Sequence, residues 1–124
     1  MEPSTKKVFD IRERSFAFSV GVVRLVALLP KSASGYAISS QVIRSGTSVG
    51  ANIEEAQNAG TKKEFIRGLT ISLKEARETE YWLRLIWETK LSDQVVVEPL
   101  LKEINELIKI LTAIIKKAKE NEIK

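Results

Sequence analysis

The sequence predicts an all-α protein, an antiparallel up-down four-helix bundle in a single domain spanning residues 1–124. Three observations carry that expectation. Apolar residues recur in alternating steps of three and four along four long segments, and Gly, Pro and Ser clusters interrupt those segments at only three places. Nowhere does a strand-like alternation persist beyond the three valines at 95–97. At 124 residues, with 44% hydrophobic and 29% charged, the chain has the balance of one compact domain.

The first helix is predicted over about residues 10–29, ended by Pro30 and the KSASG stretch. Its stripe is Ile11, Ser15, Phe18, Val22, Leu25 and Leu29; Phe16, Val23 and Val26 widen it beyond what one partner helix requires. The second helix, about 36–58, is unusual. Along QVIRSGTSVGANIEEAQ (residues 41–57) the periodic positions are Ile38, Val42, Ser45, Val49, Asn52/Ile53 and Ala56, interspersed with Gly46 and Gly50. Each glycine costs about 1 kcal/mol relative to Ala inside a helix, so close packing against a bulkier neighbour is the expected compensation. The aromatic residues Phe16, Phe18, Tyr81, Trp82 and Trp87 are the candidates for that bulk.

Thr61 and Glu64 form the capping box T-x-x-E that opens the third helix, predicted over about 61–90. Phe65, Leu69, Ser72, Ala76, Leu83 and Ile86 share one side of it, and Glu75 lies one position off that side. The fourth helix, about 93–120, carries Val97, Leu101, Ile104, Ile108, Leu111, Ile115 and Ala118, with Leu100, Leu107 and Ile114 in a second row. Two apolar rows at heptad spacing give it two neighbours. Pro99 suits the first turn of that helix better than its interior.

Composition restricts the chemistry. The chain has neither Cys nor His, which removes thiolate and imidazole metal ligands along with the commonest general base. Glu75 and Glu78 have the spacing of a carboxylate-bundle metal site, but such sites also use a His. Glu54 and Glu55 are adjacent and point in different directions. SGTSVGAN lies inside a helix with no strand before it, so it is not a phosphate loop. The expectation is a protein that is not an enzyme and uses no cofactor or metal. No apolar run is long and uncharged enough to span a bilayer, and the charged start does not fit a secretory signal; the expected location is cytoplasmic.

The net charge is +4, with six basic and three acidic groups in residues 1–31 and seven against five in 61–91. Such an excess permits nucleic-acid binding without demanding it, since Lys-rich helix faces are ordinarily just solvated. Lys6, Lys7, Arg12, Arg14, Lys62, Lys63 and Arg67 are the candidate contacts to RNA or DNA, because they cluster near the chain start and the second turn. Trp82 and Trp87 are placed to stack on bases or, more simply, to pack in the core or at a subunit interface. Arg44, Asn52 and Glu55 read either as a polar binding patch or as an internal network. In the network, Arg44 pairs with Glu75 or Glu78 and Asn52 bonds across the helices.

Together these residues resemble the bacterial four-helix-bundle family first noticed within intervening sequences of 23S ribosomal RNA genes. The shared elements are Gln41, Arg44, Ser45, Asn52, Ile53 and Glu55, then Lys63, Glu64 and Phe65, with Leu29-Pro30 closing the first helix. The likeness runs from about Phe9 to Lys119. One departure is that Ala56, Gln57 and Asn58 follow Glu55 where many members turn at Gly, which leaves room for a longer second helix. The resemblance implies a homo-oligomer, a pentameric ring of antiparallel bundles. It also implies kinship with the accessory variability protein of diversity-generating retroelements, a basic barrel resembling a nucleic-acid and reverse-transcriptase binder. Two functions stay open at this point: a non-catalytic module that binds RNA or DNA, and a scaffold for a protein partner with no nucleic-acid role.

Overall fold

Four helices account for nearly the whole chain in the computed structural model, which describes residues 3–123, with side chains for 11–121. They are α1 (Pro3–Leu28), α2 (Ala33–Gln57), α3 (Lys62–Thr89) and α4 (Gln94–Ile123); no strand occurs among the described residues. Each helix packs on two others in cyclic order, α1 on α2, α2 on α3, α3 on α4 and α4 back on α1, which makes a four-helix bundle.

The ends follow local chemistry. Helix α1 starts seven residues before the expected Asp10, with Pro3 as its first residue, where a missing N–H costs nothing. It closes with the Leu29 N–H donating to the Val26 carbonyl, 3.2 Å, before Pro30. Helix α2 begins three residues before the expected Tyr36. Ser32 is its N-cap, and its hydroxyl accepts from the Gly35 N–H at 3.1 Å. The KSASG stretch, read as a stop, is therefore also the start of the next helix. Gly35 is required there, because a Cβ at that position would lie 1.9 Å from the Pro30 carbonyl oxygen.

The expected capping box at α3 forms in its Thr61 half, while Glu64 reaches the N–H of Gly60, one residue before the N-cap, and not that of Thr61. Thr61 Oγ1 accepts from the Glu64 N–H (3.1 Å) and Glu64 Oε1 accepts from the Gly60 N–H (3.2 Å). Helix α3 ends on Lys90 in the left-handed region (φ 55°), and the Leu91 N–H reaches back to the Ile86 carbonyl at 3.1 Å. Asp93 opens α4: its carboxylate accepts from the Val95 N–H at 3.1 Å. Pro99 consequently falls in the second turn of α4, not the first. Only the Val95 carbonyl loses a partner by this, and Val95 is exposed to water.

The core contains every expected position of the α1 stripe, from Ile11 to Leu29, all buried. In α4, Val97, Ile104, Leu107, Leu111, Ile115 and Ala118 are buried, whereas Leu101 and Ile108 are only partly so. The aromatic expectation fails in part. Phe16 is 71% exposed and Tyr81 57% exposed, so neither supplies interior bulk; Phe18 is buried, and Trp82 and Trp87 lie half-buried against the core.

The small residues of α2 instead answer to backbone proximity. A Cβ on Gly46 would sit 3.0 Å from both Val22 methyls, and one on Gly50 would sit 3.1 Å from the Ser15 carbonyl oxygen. On the other flank, Ser72 of α3 donates to the Val49 carbonyl of α2 at 2.8 Å. The Thr79 and Ser45 hydroxyls share a hydrogen bond of 2.9 Å. Ser15, Ser45, Ser72 and Thr79 are buried, and no buried side-chain polar atom lacks a partner among the described residues.

Candidate nucleic-acid interface

The basic side chains divide into those held by carboxylates and those left open. Arg12 on α1 pairs with Glu54 on α2 through two guanidinium nitrogens, Nε (3.3 Å) and Nη2, on an exposed surface. Arg14 makes a two-pronged contact with Glu103 on α4, 2.8 and 2.7 Å, with both side chains partly buried. These two arginines tie α1 to its neighbours. Their charge is largely answered before any ligand arrives.

Lys62, Lys63 and Arg67 differ. They occupy the first turns of α3, are exposed, and make no ion pair with a described residue. The side chains of Lys6 and Lys7 lie outside the described residues. The structure thus brings three of the seven candidates together as open cations and commits two others to structure.

The motif residues of α2 converge on α3. Arg44 donates to Glu75 Oε1 (3.2 Å), to Glu78 Oε2 and to the amide oxygen of Gln41 (3.2 Å). Glu78 also accepts from the Trp82 indole N–H at 3.0 Å, so one carboxylate holds both Arg44 and the ring. The Glu75–Glu78 pair is therefore engaged by a guanidinium. No cluster of acidic side chains suited to a metal ion occurs among the described residues.

Asn52 does not cross to another helix as expected. Its amide donates to the Ser48 carbonyl of its own helix at 2.8 Å. A short side chain one turn from a helix carbonyl can satisfy itself locally on the second lone pair of that oxygen. Glu55 is exposed and takes no part in the Arg44 network.

Residues missed by the sequence reading continue from Lys63 and Arg67. Lys74, Arg77 and Arg84 lie on the same outward side of α3, all exposed and without an ion pair to a described residue. Sequence clustering hides them; steps of three and four from Arg67 would have found them.

The profile of the 23S rRNA-intervening sequence protein family matches residues 7–113. The chain belongs to this family. Among solved structures it is similar to a protein of unknown function from the S23 ribosomal protein family of Bacteroides thetaiotaomicron. The two share 40% identity over 86% of this chain and 98% of the other, with a TM-score of 0.80. No match is found among curated proteins. Arg44, Ser45, Glu75 and Glu78, which make contacts joining α2 to α3, all lie within the matched residues. No helix among the described residues is long and apolar enough to cross a membrane.

Proposed function

We propose that this chain is a non-catalytic, cytoplasmic, homo-oligomeric bundle of antiparallel helices that binds nucleic acid through Lys62, Lys63 and Arg67. One observation carries the reading. Where Arg12, Arg14 and Arg44 are each met by carboxylates, these three cations are left open at one end of α3. Unanswered cations are what a phosphate backbone needs, because affinity comes chiefly from releasing its counterions.

The antiparallel order is supported by the α2–α3 bonds, in which Val49 meets Ser72 while the earlier Ser45 meets the later Thr79. Self-association, as a pentameric ring by family resemblance, is supported by the exposed Phe16 and Val23 on α1. The family's naming for ribosomal RNA genes agrees with an RNA ligand.

The test is a titration of the protein against labelled structured RNA and duplex DNA at low and physiological salt. Wild type is expected to bind with a steep salt dependence. The Lys62→Ala/Lys63→Ala/Arg67→Ala variant should lower the log–log salt slope by about 2–3 if all three contact phosphates. An unchanged slope would remove this patch. Absence of binding at low salt would favour the second reading, a protein scaffold. That reading is favoured by a cleft of about 330 Å³ where the exposed Phe16 adjoins Gly50 and Glu54.

A further inference from the structure

The outward side of α3 carries more than its first turns. Lys63, Arg67, Lys74, Arg77, Tyr81 and Arg84 follow one another at helical steps of three, four or seven, and all are exposed. They stand opposite the buried Leu69, Ser72, Ala76 and Leu83. From Lys63 to Arg84 the row runs about 31 Å, at 1.5 Å per residue.

The acidic residues of the same helix are drawn off this row. Glu75 and Glu78 are turned to Arg44 of α2, and Glu64 folds back onto the Gly60 N–H. Glu80 lies to one side, partly buried, and Glu88 stands beyond the last arginine. Five cations therefore form a ridge without an ion pair to any described residue.

Tyr81 sits within this ridge, 57% exposed. Its ring meets Trp82 edge-on, with centroids 5.0 Å apart and planes at 78°. Trp82 is itself held by the Glu78 carboxylate that Arg44 engages. An exposed aromatic ring with fixed backing, with Arg77 four residues before it and Arg84 three after, suits a base lifted out of a helix. A duplex keeps its bases stacked and paired and offers no such face.

We propose that the outer side of α3 is a track for single-stranded nucleic acid, with the five cations on phosphates and Tyr81 stacked on a base. This deepens the nucleic-acid reading above and rests on it.

The experiment titrates the full chain with a fluorescent 20-nucleotide oligo-U, a 20-nucleotide oligo-dT and a 20-base-pair duplex over a salt series. Both single strands should bind at least about tenfold tighter than the duplex at equal salt. Lys74→Ala/Arg77→Ala/Arg84→Ala should weaken single-strand binding and lower its log–log salt slope by about 2. Tyr81→Ala should cost about fivefold or more with the slope unchanged, and Tyr81→Phe should bind as wild type. Thermal melting confirms that each variant, altered only at exposed positions, remains folded.

Four outcomes overturn the proposal. If Lys74→Ala/Arg77→Ala/Arg84→Ala binds as wild type while Lys62→Ala/Lys63→Ala/Arg67→Ala does not, the track fails and the nucleic-acid reading stands. A preference for the duplex, or full binding by Tyr81→Ala, likewise rejects the single-strand assignment alone. No binding by wild type at low salt rejects both.

Discussion

Helices α2 and α4 occupy opposite corners of the bundle, each packed against α1 and α3, yet they meet their neighbours in opposite ways. Helix α4 fills space with Ile104, Leu107, Leu111 and Ile115. Helix α2 gives space up, so that Gly46 and Gly50 admit α1 and the Ser45 hydroxyl and Val49 carbonyl receive α3. On the α4 side the separation between helices is set by side-chain volume. On the α2 side it is set by backbone approach and by hydroxyl hydrogen bonds. The difference accounts for the polar, small-residue helix: its residues are chosen for nearness rather than for bulk.

Three substitutions would break or sharpen this contrast. The largest effect belongs to the volume-filled side. Leu111→Ala should cost about 2–5 kcal/mol in chemical denaturation, because a fully buried side chain leaves a cavity. A loss below about 1 kcal/mol would mean that α4 can collapse inward and is not rigidly volume-set.

Next is Gly50→Val, which adds bulk where the Ser15 carbonyl is the obstacle. A backbone group cannot rotate aside, so a loss of about 1–3 kcal/mol is expected despite a somewhat better helix former. A stabilised variant would show that α1 and α2 are free to part. The smallest effect is expected for Thr79→Val, which keeps the shape but strips the hydroxyl facing Ser45. About 1 kcal/mol should be lost, and combining it with Ser45→Ala in a double-mutant cycle isolates the bond. Independence of the two sites would reassign the hydroxyls to their own helices.

What could be read from the sequence follows from what is periodic. The α1 stripe from Ile11 to Leu29 was legible in full, since its spacing and apolarity coincide. The Arg44–Glu75/Glu78 contact is one of the two readings the sequence offers for Arg44, and the one the geometry shows, because the small-residue side of α2 brings Arg44 within reach of both carboxylates on α3. Phe16 and Tyr81 depart from the interior expectation because helical position, not aromatic character, decides burial, and both positions fall on outward sides. The partners of Arg12 and Arg14 lie 42 and 89 residues away, and nothing local in the chain announces them. Ser32 was overlooked as a cap because the stretch containing it also ends the preceding helix. Lys74, Arg77 and Arg84 are separated by unlike residues and become a row only once α3 is wound.

Pro99 gives α4 a built-in point of separation. With no N–H for the Val95 carbonyl, residues 94–98 are joined to the rest of the helix by one backbone bond fewer, and Val97 is the one side chain among them that is fully seated. Opening that turn therefore breaks one backbone bond fewer than opening any other turn of α4, and its cost is carried chiefly by Val97.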